Sequence, residues 1–420
     1  MRIDIVAIGS YGDVRPAVAL GVGLLKDGHQ VRIVSLDGCD ELVRAHGLGH
    51  LVIGNSPREI ANTAHGDRWI KRRGNTLGFL RGFVGVVNSL IETGTARYWQ
   101  NAGDVEAVVT TPMGLVVAMH IAERLGVPLI QASFVPTRHD WIERRNLMTA
   151  IRRDVAAAVF RQVIWSKLRR VTNAARHNVL SLPPLSLIEP YTNIGRTRTV
   201  LEAYSPAVVP RPRVRDRIHV TGYWFLDDHA GWQPPAEVVE FLKAGAPPVF
   251  VGFGSTPFPD ARAATETVVR ALDRTESRGL VLAGGSGLAT GRLSDSILSV
   301  DSLPHGWLLP RVSAAVHHGG AGVTGAVLRA GLPSVVVPIF GDQPFWGERV
   351  LALGVGPRPI PARELTADTL ASAIHLMSDR EMRGRAADLG AQIAKENGVA
   401  RAVEIIDQDL GVRTSAQRAS

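Results

Sequence analysis

Residues 314–348 read AAVHHGGAGVTGAVLRAGLPSVVVPIFGDQPFWGE, a pattern that predicts a strand, a glycine-rich turn, a helix and a second strand in succession. The first strand covers Ala314 to Val316, the helix begins at about Val323, and the second strand covers Ser334 to Ile339. Glycines let a backbone approach a ligand closely, and the first N–H groups of a helix carry a partial positive charge. The stretch therefore predicts a binding site for a diphosphate.

The same residues leave alternatives open. Gly320 to Gly325 spells G-x-G-x-x-G, and Asp342 lies about where a dinucleotide-binding fold carries its ribose-binding acid, so an NAD-dependent oxidoreductase is one alternative. Against NAD, Asp342 is followed directly by Gln343, and a carboxylate beside an amide suits the hydroxyls of a sugar. A turn that serves only helix packing and a non-catalytic sugar-nucleotide-binding module are the other interpretations.

Length and composition place the chain among ordinary globular proteins. Its 420 residues suffice for two domains with full cores, and it is 45% hydrophobic and 20% charged. Cys39 is the only cysteine, which excludes an intrachain disulfide and suits a reducing compartment. Neither a signal-peptide pattern nor an apolar run of membrane-spanning length is present. We expect a soluble, cytoplasmic protein, either a monomer or a homodimer.

The net charge of +8 lies entirely in the first half of the chain, residues 1–205. Within it, residues 154–171 place valine, isoleucine and leucine at helical spacing among lysines and arginines. Such a basic amphipathic helix can lie on an anionic membrane, which would suit peripheral contact and a lipid acceptor. The alternative is a solvated outer face of the fold. We expect no nucleic-acid partner, because no basic–aromatic motif of a known binding module is present.

The order of predicted elements indicates an α/β protein. The N-terminus reads as strand, glycine loop, helix (Pro16 to Lys26) and strand, which is a βαβ unit of a parallel sheet. We expect two Rossmann-like parallel-sheet domains that face a central cleft, with a proline-rich linker over residues 206–235. The first domain covers residues 1–205 and the second 236–395. Residues 396–420 form a C-terminal helix that returns to the first domain, followed by a frayed tail.

Ligands of open α/β sheets bind beyond the carboxyl ends of the strands, and three loops there carry chemistry. Asp13 follows the first strand, where it either caps the next helix or acts as a general base. Ser255 can donate its hydroxyl to a phosphate oxygen, and His318, just before the glycine turn, can stabilise a departing diphosphate. His139 and Trp141 follow another strand and are candidates for acceptor binding. No metal site is predicted.

Two motifs resemble those of a known family. GSYGDVRP at residues 9–16 is similar to GSRGDVQP, and residues 317–346 match HHGGAGTT…P.FGDQPFW closely. Residues 204–224 also match the stretch between the two domains in that family. The chain resembles the family 1 glycosyltransferases of the GT-B fold, in the branch of sterol 3β-glucosyltransferases, vancomycin-group aglycone glycosyltransferases and mycobacterial glycolipid rhamnosyltransferases.

The resemblance implies inverting, metal-independent transfer of a hexose or deoxyhexose to a hydroxyl of a hydrophobic acceptor, such as a bacterial natural product, a sterol-like molecule or a cell-envelope lipid. The co-substrate would be a UDP- or dTDP-sugar, with no further cofactor. Asp13 would be the base, and His318 would act on the leaving diphosphate. The positions that would bind the nucleotide sugar are Ser10, Gly12, Ser255, Ser302, Leu303, His318, Gly320, Gly322, Val323, Thr324, Asp342 and Gln343.

Three positions depart from the family pattern. Val323 stands where a threonine is usual, which removes a phosphate-binding hydroxyl, and Thr324 offers a replacement. Ser302 stands where plant-type members stack the nucleobase on tryptophan, so the sequence leaves uracil and thymine both open. Tyr11 replaces a usual arginine and joins His139 and Trp141 as a candidate acceptor-binding residue.

Overall fold

The computed structural model describes residues 1–56, 59–60, 76–137, 147–188, 190, 198–212, 217–227, 232–255, 258 and 260–411. His139 and Trp141, two of the candidate acceptor-binding residues, lie outside the described residues. The chain divides into two compact units. The first comprises Met1–Ala203, Pro210–Leu226 and Asn397–Ser420, and the second comprises Tyr204–Val209 and Asp227–Glu396.

The first unit is built on a seven-stranded parallel sheet of order β3-β2-β1-β4-β5-β6-β7. Its inner strands are short runs of buried residues, mostly aliphatic, as a sheet covered on both faces requires. The strands are β1 (Arg2–Ala7), β2 (Gln30–Leu36), β3 (Gly49–Gly54), β4 (Ala107–Thr110), β5 (Leu129–Ser133), β6 (Val200–Glu202) and β7 (Ile218–Val220).

The edge strand β7 lies inside the stretch expected to be a linker. Val200 of β6 pairs with Ile218 of β7, so the proline-rich segment supplies one strand of the first sheet. A three-residue strand has too short a pattern to be recognised among prolines, and only its pairing with β6 defines it.

Helices cover the first sheet. The chain forms α1 (Tyr11–Lys26), α2 (Asp40–Ala45), α3 (Thr76–Ser89) with a π-helical continuation (Leu90–Gly94), α4 (Thr95–Gln100), α5 (Leu115–Leu125), α6 (Leu147–Asn178) and, near the C-terminus, a further helix (Gly398–Asp409). Helix α1 starts five residues before the predicted Pro16. The reason is local: Ser10 is its N-cap residue, and Asp13 in the first turn bonds back to Ser10.

The helix Gly398–Asp409 packs on α1 within the first unit. Its buried Asp407 Oδ1 lies 2.9 Å from Nε2 of His29, which follows α1, and Asp27 Oδ2 is 3.9 Å from the same nitrogen. Burial raises the pKa of Asp407 above its usual value. This contact ties the C-terminal helix to the turn that joins α1 and β2.

The second unit carries a six-stranded sheet of order β10-β11-β9-β8-β12-β13. All neighbours are parallel except β10 and β11, an antiparallel pair that the sequence pattern did not predict. The hairpin was not predicted because its sequence, GRLSDSILSV, is partly polar and shows no clear alternation of apolar and polar residues. The strands are β8 (Val249–Gly252), β9 (Gly279–Leu282), β10 (Gly291–Ser294), β11 (Ile297–Val300), β12 (Ala314–His317) and β13 (Ser334–Val336).

The helices of the second unit are α7 (Ala236–Lys243), α8 (Ala261–Arg274), α9 (His305–Leu308), α10 (Ala321–Arg329), α11 (Gln343–Ala352), α12 (Ala367–Leu376) and α13 (Arg380–Ile393), so the C-terminal helix is α14. Helix α10 starts at Ala321, two residues before the prediction, because Gly320 takes the extended conformation of an N-cap. Among the described residues, no helix is both long and apolar enough to cross a membrane.

Candidate functional site

Strands β8 and β12 are neighbours at the centre of the second sheet, and they decide where the site lies. Gly252, the last residue of β8, pairs with His317, the last residue of β12. The loops that follow them, residues 253–255 and 318–320, therefore emerge side by side. Strand β9 lies on one side of this pair and β13 on the other. The chain therefore adds strands to one side of the sheet after β8 and to the opposite side after β12. Such a switch point is where open α/β sheets bind ligands.

Two glycines fix the ring of His318. A Cβ atom added to Gly254 would lie 2.8 Å from His318 Cε1, and one added to Gly320 would lie 2.6 Å from Nε2. Gly254 also has a φ of +66°, a conformation that side-chain-bearing residues rarely adopt. Only glycine at both positions lets the backbones of two loops close on the imidazole. Ser255, next to Gly254, is exposed at this edge.

Both histidines of the pair are neutral at physiological pH. Burial lowers the pKa of His318 to about 4, and burial together with the neighbouring His318 lowers the pKa of His317 to about 3. His317 is fully buried, and its Nδ1 accepts a hydrogen bond of 3.1 Å from the backbone N–H of Gly319. His317 thus supports the turn, whereas the partly exposed His318 can meet a ligand as a neutral imidazole.

The start of helix α10 offers uncapped N–H groups. Its N-cap residue is Gly320, which has no side chain that could bond them, and Gly322 is exposed with no atom within 4 Å of an added Cβ. Val323 is 8% exposed and Thr324 is fully buried. The hydroxyl of Thr324 has no hydrogen-bond partner among the described residues, and its burial keeps it from the open side of the helix.

Asp342 and Gln343 begin helix α11, and the structure gives them different surroundings. Asp342 is exposed, while its Oδ2 accepts a hydrogen bond of 2.8 Å from Nε1 of the buried Trp346. Partial desolvation raises the pKa of Asp342. Gln343 is buried, and its Oε1 accepts from the backbone N–H groups of Ile339 (2.7 Å) and Phe340 (3.1 Å). The side-chain carbonyl of Gln343 is therefore used to fix the loop at Ile339 and Phe340. Its side-chain amide nitrogen remains as the group that can donate to a ligand.

The loop after β11 brings in the remaining two positions. Ser302 is exposed, whereas the side chain of Leu303 is buried in the same apolar cluster as Val323. Leu303 can reach a ligand only through its backbone. The loop after β9 lies against the same residues, although the sequence alone did not predict it. An added Cβ on Gly285 would lie 2.9 Å from Ser255 Cα, and one on Gly284 would lie 3.1 Å from the oxygen of Gly254. The signal that could have found it is the pair Gly284-Gly285 directly after the apolar run Leu280 to Ala283.

The first sheet has a candidate loop of its own, which follows β1 at the switch point between β1 and β4. Asp13 Oδ2 accepts hydrogen bonds from the backbone N–H (2.7 Å) and hydroxyl (2.9 Å) of Ser10. Tyr11 and Gly12 are exposed in the first turn of α1, and the Tyr11 ring centroid lies 5.7 Å from the guanidinium carbon of Arg15. The expected capping contact of Asp13 is present, and it leaves the side chain partly exposed.

Known proteins match this chain over nearly all of its length. Residues 3–142 match the glycosyltransferase family 28 N-terminal domain, and residues 279–407 match the C-terminal domain of erythromycin biosynthesis protein CIII-like proteins. Two sterol 3-beta-glucosyltransferases of Arabidopsis thaliana are 34% and 31% identical over 98% of this chain, which covers 66% and 68% of theirs. The chain belongs to the glycosyltransferase family that contains these sterol 3-beta-glucosyltransferases.

Other members are longer. A sterol 3-beta-glucosyltransferase of Candida albicans is 33% identical over 97% of this chain, and the match covers 28% of the fungal protein. The chain thus spans about two thirds of its plant relatives and under a third of this fungal one.

Solved structures of glycosyltransferases share the fold. The kitacinnamycin glycosyltransferase superposes with a TM-score of 0.68 at 20% identity, over 97% of this chain and 99% of that one. The calicheamicin glycosyltransferase CalG4 gives 0.67 at 19% identity, over 98% of both. These neighbours confirm the predicted α/β class with two Rossmann-like sheets of GT-B type.

Proposed function

We propose that this family member is an inverting, metal-independent glycosyltransferase that moves a hexose or deoxyhexose from a UDP- or dTDP-sugar to a hydroxyl of a hydrophobic acceptor. The observation that carries the proposal is the carboxyl edge of β12. There a neutral His318 is held between two glycines, beside the uncapped start of α10. That combination suits a diphosphate that gains charge as it leaves a sugar.

The second unit would bind the donor. Backbone amides at the start of α10 and the hydroxyl of Ser255 would donate hydrogen bonds to the phosphate oxygens, and the ring N–H of the neutral His318 would donate another. Asp342 and the amide nitrogen of Gln343 would bond the sugar hydroxyls. The charge of the diphosphate is then met by amides, hydroxyls and the helix dipole, which is the support for a reaction without a metal ion.

The first unit would supply the base. Asp13 would accept the proton of the acceptor hydroxyl as that oxygen attacks the anomeric carbon. The bond between that carbon and the diphosphate oxygen breaks, and its electron pair leaves with the nucleoside diphosphate. A single displacement of this kind inverts the anomeric centre. The family's sterol 3-beta-glucosyltransferases support a hydroxyl on a large apolar molecule as acceptor, which includes sterol-like molecules, bacterial natural products and envelope lipids.

A ligand panel tests the donor assignment before any acceptor is known. We expect UDP or dTDP, and their sugars, to raise the melting temperature of the chain, while NAD has no effect. Incubation with labelled UDP- or dTDP-sugars and a 3β-hydroxysterol should then yield a labelled glycoside. Protection by NAD alone would favour the oxidoreductase alternative, and nucleotide binding without any transfer or hydrolysis would favour a binding module.

We further propose that the enzyme works in a reducing, cytoplasmic compartment as a monomer or homodimer. The support for the compartment is its single cysteine, Cys39, which is buried and not part of a disulfide. Sedimentation of the purified chain under reducing and oxidising conditions tests the assembly state, since a covalent dimer through Cys39 would contradict this proposal.

A further inference from the structure

The outer side of helix α6 concentrates exposed apolar side chains. Among the described residues, the large apolar side chains that are notably exposed number nine, and five of them lie here. Val159, Phe160 and Val163 on the helix are 57%, 50% and 45% exposed, and Leu187 and Ile188 beyond its end are 70% and 76% exposed. Five large apolar side chains exposed in one region form a patch, whereas exposed apolar residues on soluble proteins are usually scattered singly.

The helix presents this side because its opposite side is used in the core. Trp165 and Leu168 are buried against Val87 and Ile91 of the preceding helical segment. At 100° per residue, Val159, Val163 and Arg170 lie on the side away from that cluster, with Phe160 and Lys167 beside them. On this outer side the apolar residues come first along the helix, and the basic residues follow one to two turns after Val163.

The segment that carries Leu187 and Ile188 is fixed to the helix. The side chain of Gln162 donates to the backbone oxygen of Leu187 at 2.9 Å, and Trp165 Nε1 donates to that of Ser186 at 3.2 Å. Further along, Asn173 bonds both backbone groups of Leu185. Hydrogen bonds to the backbone thus leave the two apolar side chains projecting from an anchored segment.

Along the helix, the charge beside the apolar group has one sign over residues 158–178. Residues 158–178 contain no aspartate or glutamate, and they include Lys167, Arg169 and Arg170. Lys167 and Arg170 are exposed, and neither forms an ion pair with a carboxylate of the described residues. A soluble partner protein could cover the apolar residues, but exposed cations flanking an apolar strip complement an anionic lipid surface in particular.

We propose that this α6 outer face, formed by Val159, Phe160, Val163, Lys167, Arg170, Leu187 and Ile188, docks on the surface of a bilayer that contains anionic phospholipids. The apolar side chains enter the boundary between headgroups and acyl chains, and the basic side chains bond lipid phosphates. Each element alone gives weak binding, whereas the two together give stable peripheral attachment. The inference does not rest on the proposed glycosyl transfer, since it concerns a different surface.

Sedimentation with vesicles tests the proposal. We expect the full chain to pellet with vesicles of phosphatidylglycerol and phosphatidylcholine, and at least about tenfold less with phosphatidylcholine alone. Raising the salt from about 0.1 M to about 0.5 M should weaken the attachment, because it screens the charges. The variant K167E/R170E should lose binding to the anionic vesicles, and Phe160→Ser should weaken it at least about tenfold.

Matched controls lie in the second unit. Leu376 is 52% exposed, and Arg262 is exposed on α8, so Leu376→Ser and Arg262→Glu make changes of the same kind, apolar to serine and cation to glutamate, away from α6 and should bind as the unchanged chain does. Retained thermal stabilisation by UDP or dTDP, or an unchanged melting temperature, shows that a variant is folded. Equal binding to both vesicle types, no binding to either, or insensitivity to the α6 variants overturns the proposal. So does a dimer in solution that Phe160→Ser dissociates, which would identify a second copy as the occupant.

Discussion

Asp13 Oδ2 accepts two hydrogen bonds from one residue, 2.7 Å from the backbone nitrogen of Ser10 and 2.9 Å from its hydroxyl. The contact fixes the carboxylate at the start of α1 and in the loop after β1, where a ligand of the first sheet would lie. Capping and general-base catalysis are therefore compatible in this side chain, since the capping contact leaves the carboxylate partly exposed.

Replacement of Asp13 by asparagine separates the two roles. Asparagine keeps an oxygen that can accept from Ser10 but cannot take a proton, so we expect transfer from UDP- or dTDP-glucose to fall at least about 100-fold with little change in melting temperature. Ser10→Ala is the control: it removes the hydroxyl contact, keeps the backbone contact, and should lower turnover less than tenfold, about the effect of one neutral hydrogen bond. A normal rate in Asp13→Asn would reduce Asp13 to a capping residue.

Gly322→Ala tests where the diphosphate binds. An added methyl group meets no atom within 4 Å in the free protein, and alanine favours a helix over glycine, so the melting temperature should not fall. If phosphate oxygens approach the start of α10, the methyl group blocks them, and the dissociation constant of UDP or dTDP should rise at least about tenfold. Calorimetric titration measures it. Unchanged affinity would place the diphosphate elsewhere.

Val323→Thr tests the departure from the family pattern. Threonine has nearly the shape of valine and adds the missing hydroxyl at the start of α10, so we expect nucleoside diphosphate affinity to improve about tenfold, the worth of one hydrogen bond to a charged group. Val323→Ala is the control that changes the side chain without adding a hydroxyl. Should the threonine variant bind no more tightly, the surrounding amides already satisfy the phosphates.

Gln343→Glu separates loop support from sugar recognition. Glutamate retains an oxygen for the N–H groups of Ile339 and Phe340 but loses the amide donors, so the fold should persist while KM for the intact donor sugar rises. Affinity for UDP or dTDP alone should stay the same. Gln343→Leu removes the oxygen as well and should cost about 1–3 kcal/mol of unfolding free energy for each N–H left without a partner. Equal KM in Gln343→Glu would assign the residue to loop support only.

His317 should make the second unit sensitive to acid. Its pKa is about 3 in the folded chain against an ordinary 6.5, so the unfolded chain binds a proton that the folded chain refuses between those values. Stability is fully present above about pH 6.5 and falls as pH drops toward 4, by about 1.4 kcal/mol per pH unit for this residue. His318, with a pKa of about 4, acts in the same direction.

The variant His317→Asn should flatten this pH dependence. Asparagine can place an oxygen near Nδ1 to accept from Gly319, yet it does not titrate. Calorimetric unfolding at several pH values between about 4.5 and about 7 measures the effect. A variant with the acid sensitivity of the unchanged chain would show that other groups control it.

The sequence predicts strands well where apolar residues form a short continuous run. The two strands that flank the glycine turn begin at Ala314 and Ser334 as predicted, since buried parallel strands are short, mostly apolar runs; the second ends at Val336, three residues before the predicted Ile339. Strand β7 was missed because its three residues become a strand only by pairing with β6, and the β10–β11 hairpin was missed because its partly polar sequence shows no clear alternation. The roles of the candidate site residues stay predictions.

The amino-acid sequence by itself determined the α/β class, the family and the glycine turn before α10, because each depends on residue type and spacing along the chain. Tertiary structure decided what each side chain can offer a ligand. In the folded chain, Gly254 and Gly320 lie against the ring of His318, and the side-chain carbonyl of Gln343 accepts backbone hydrogen bonds. Thr324 is buried. Those outcomes depend on which strands lie side by side, and the order of strands in a sheet is set by packing between residues far apart in the chain.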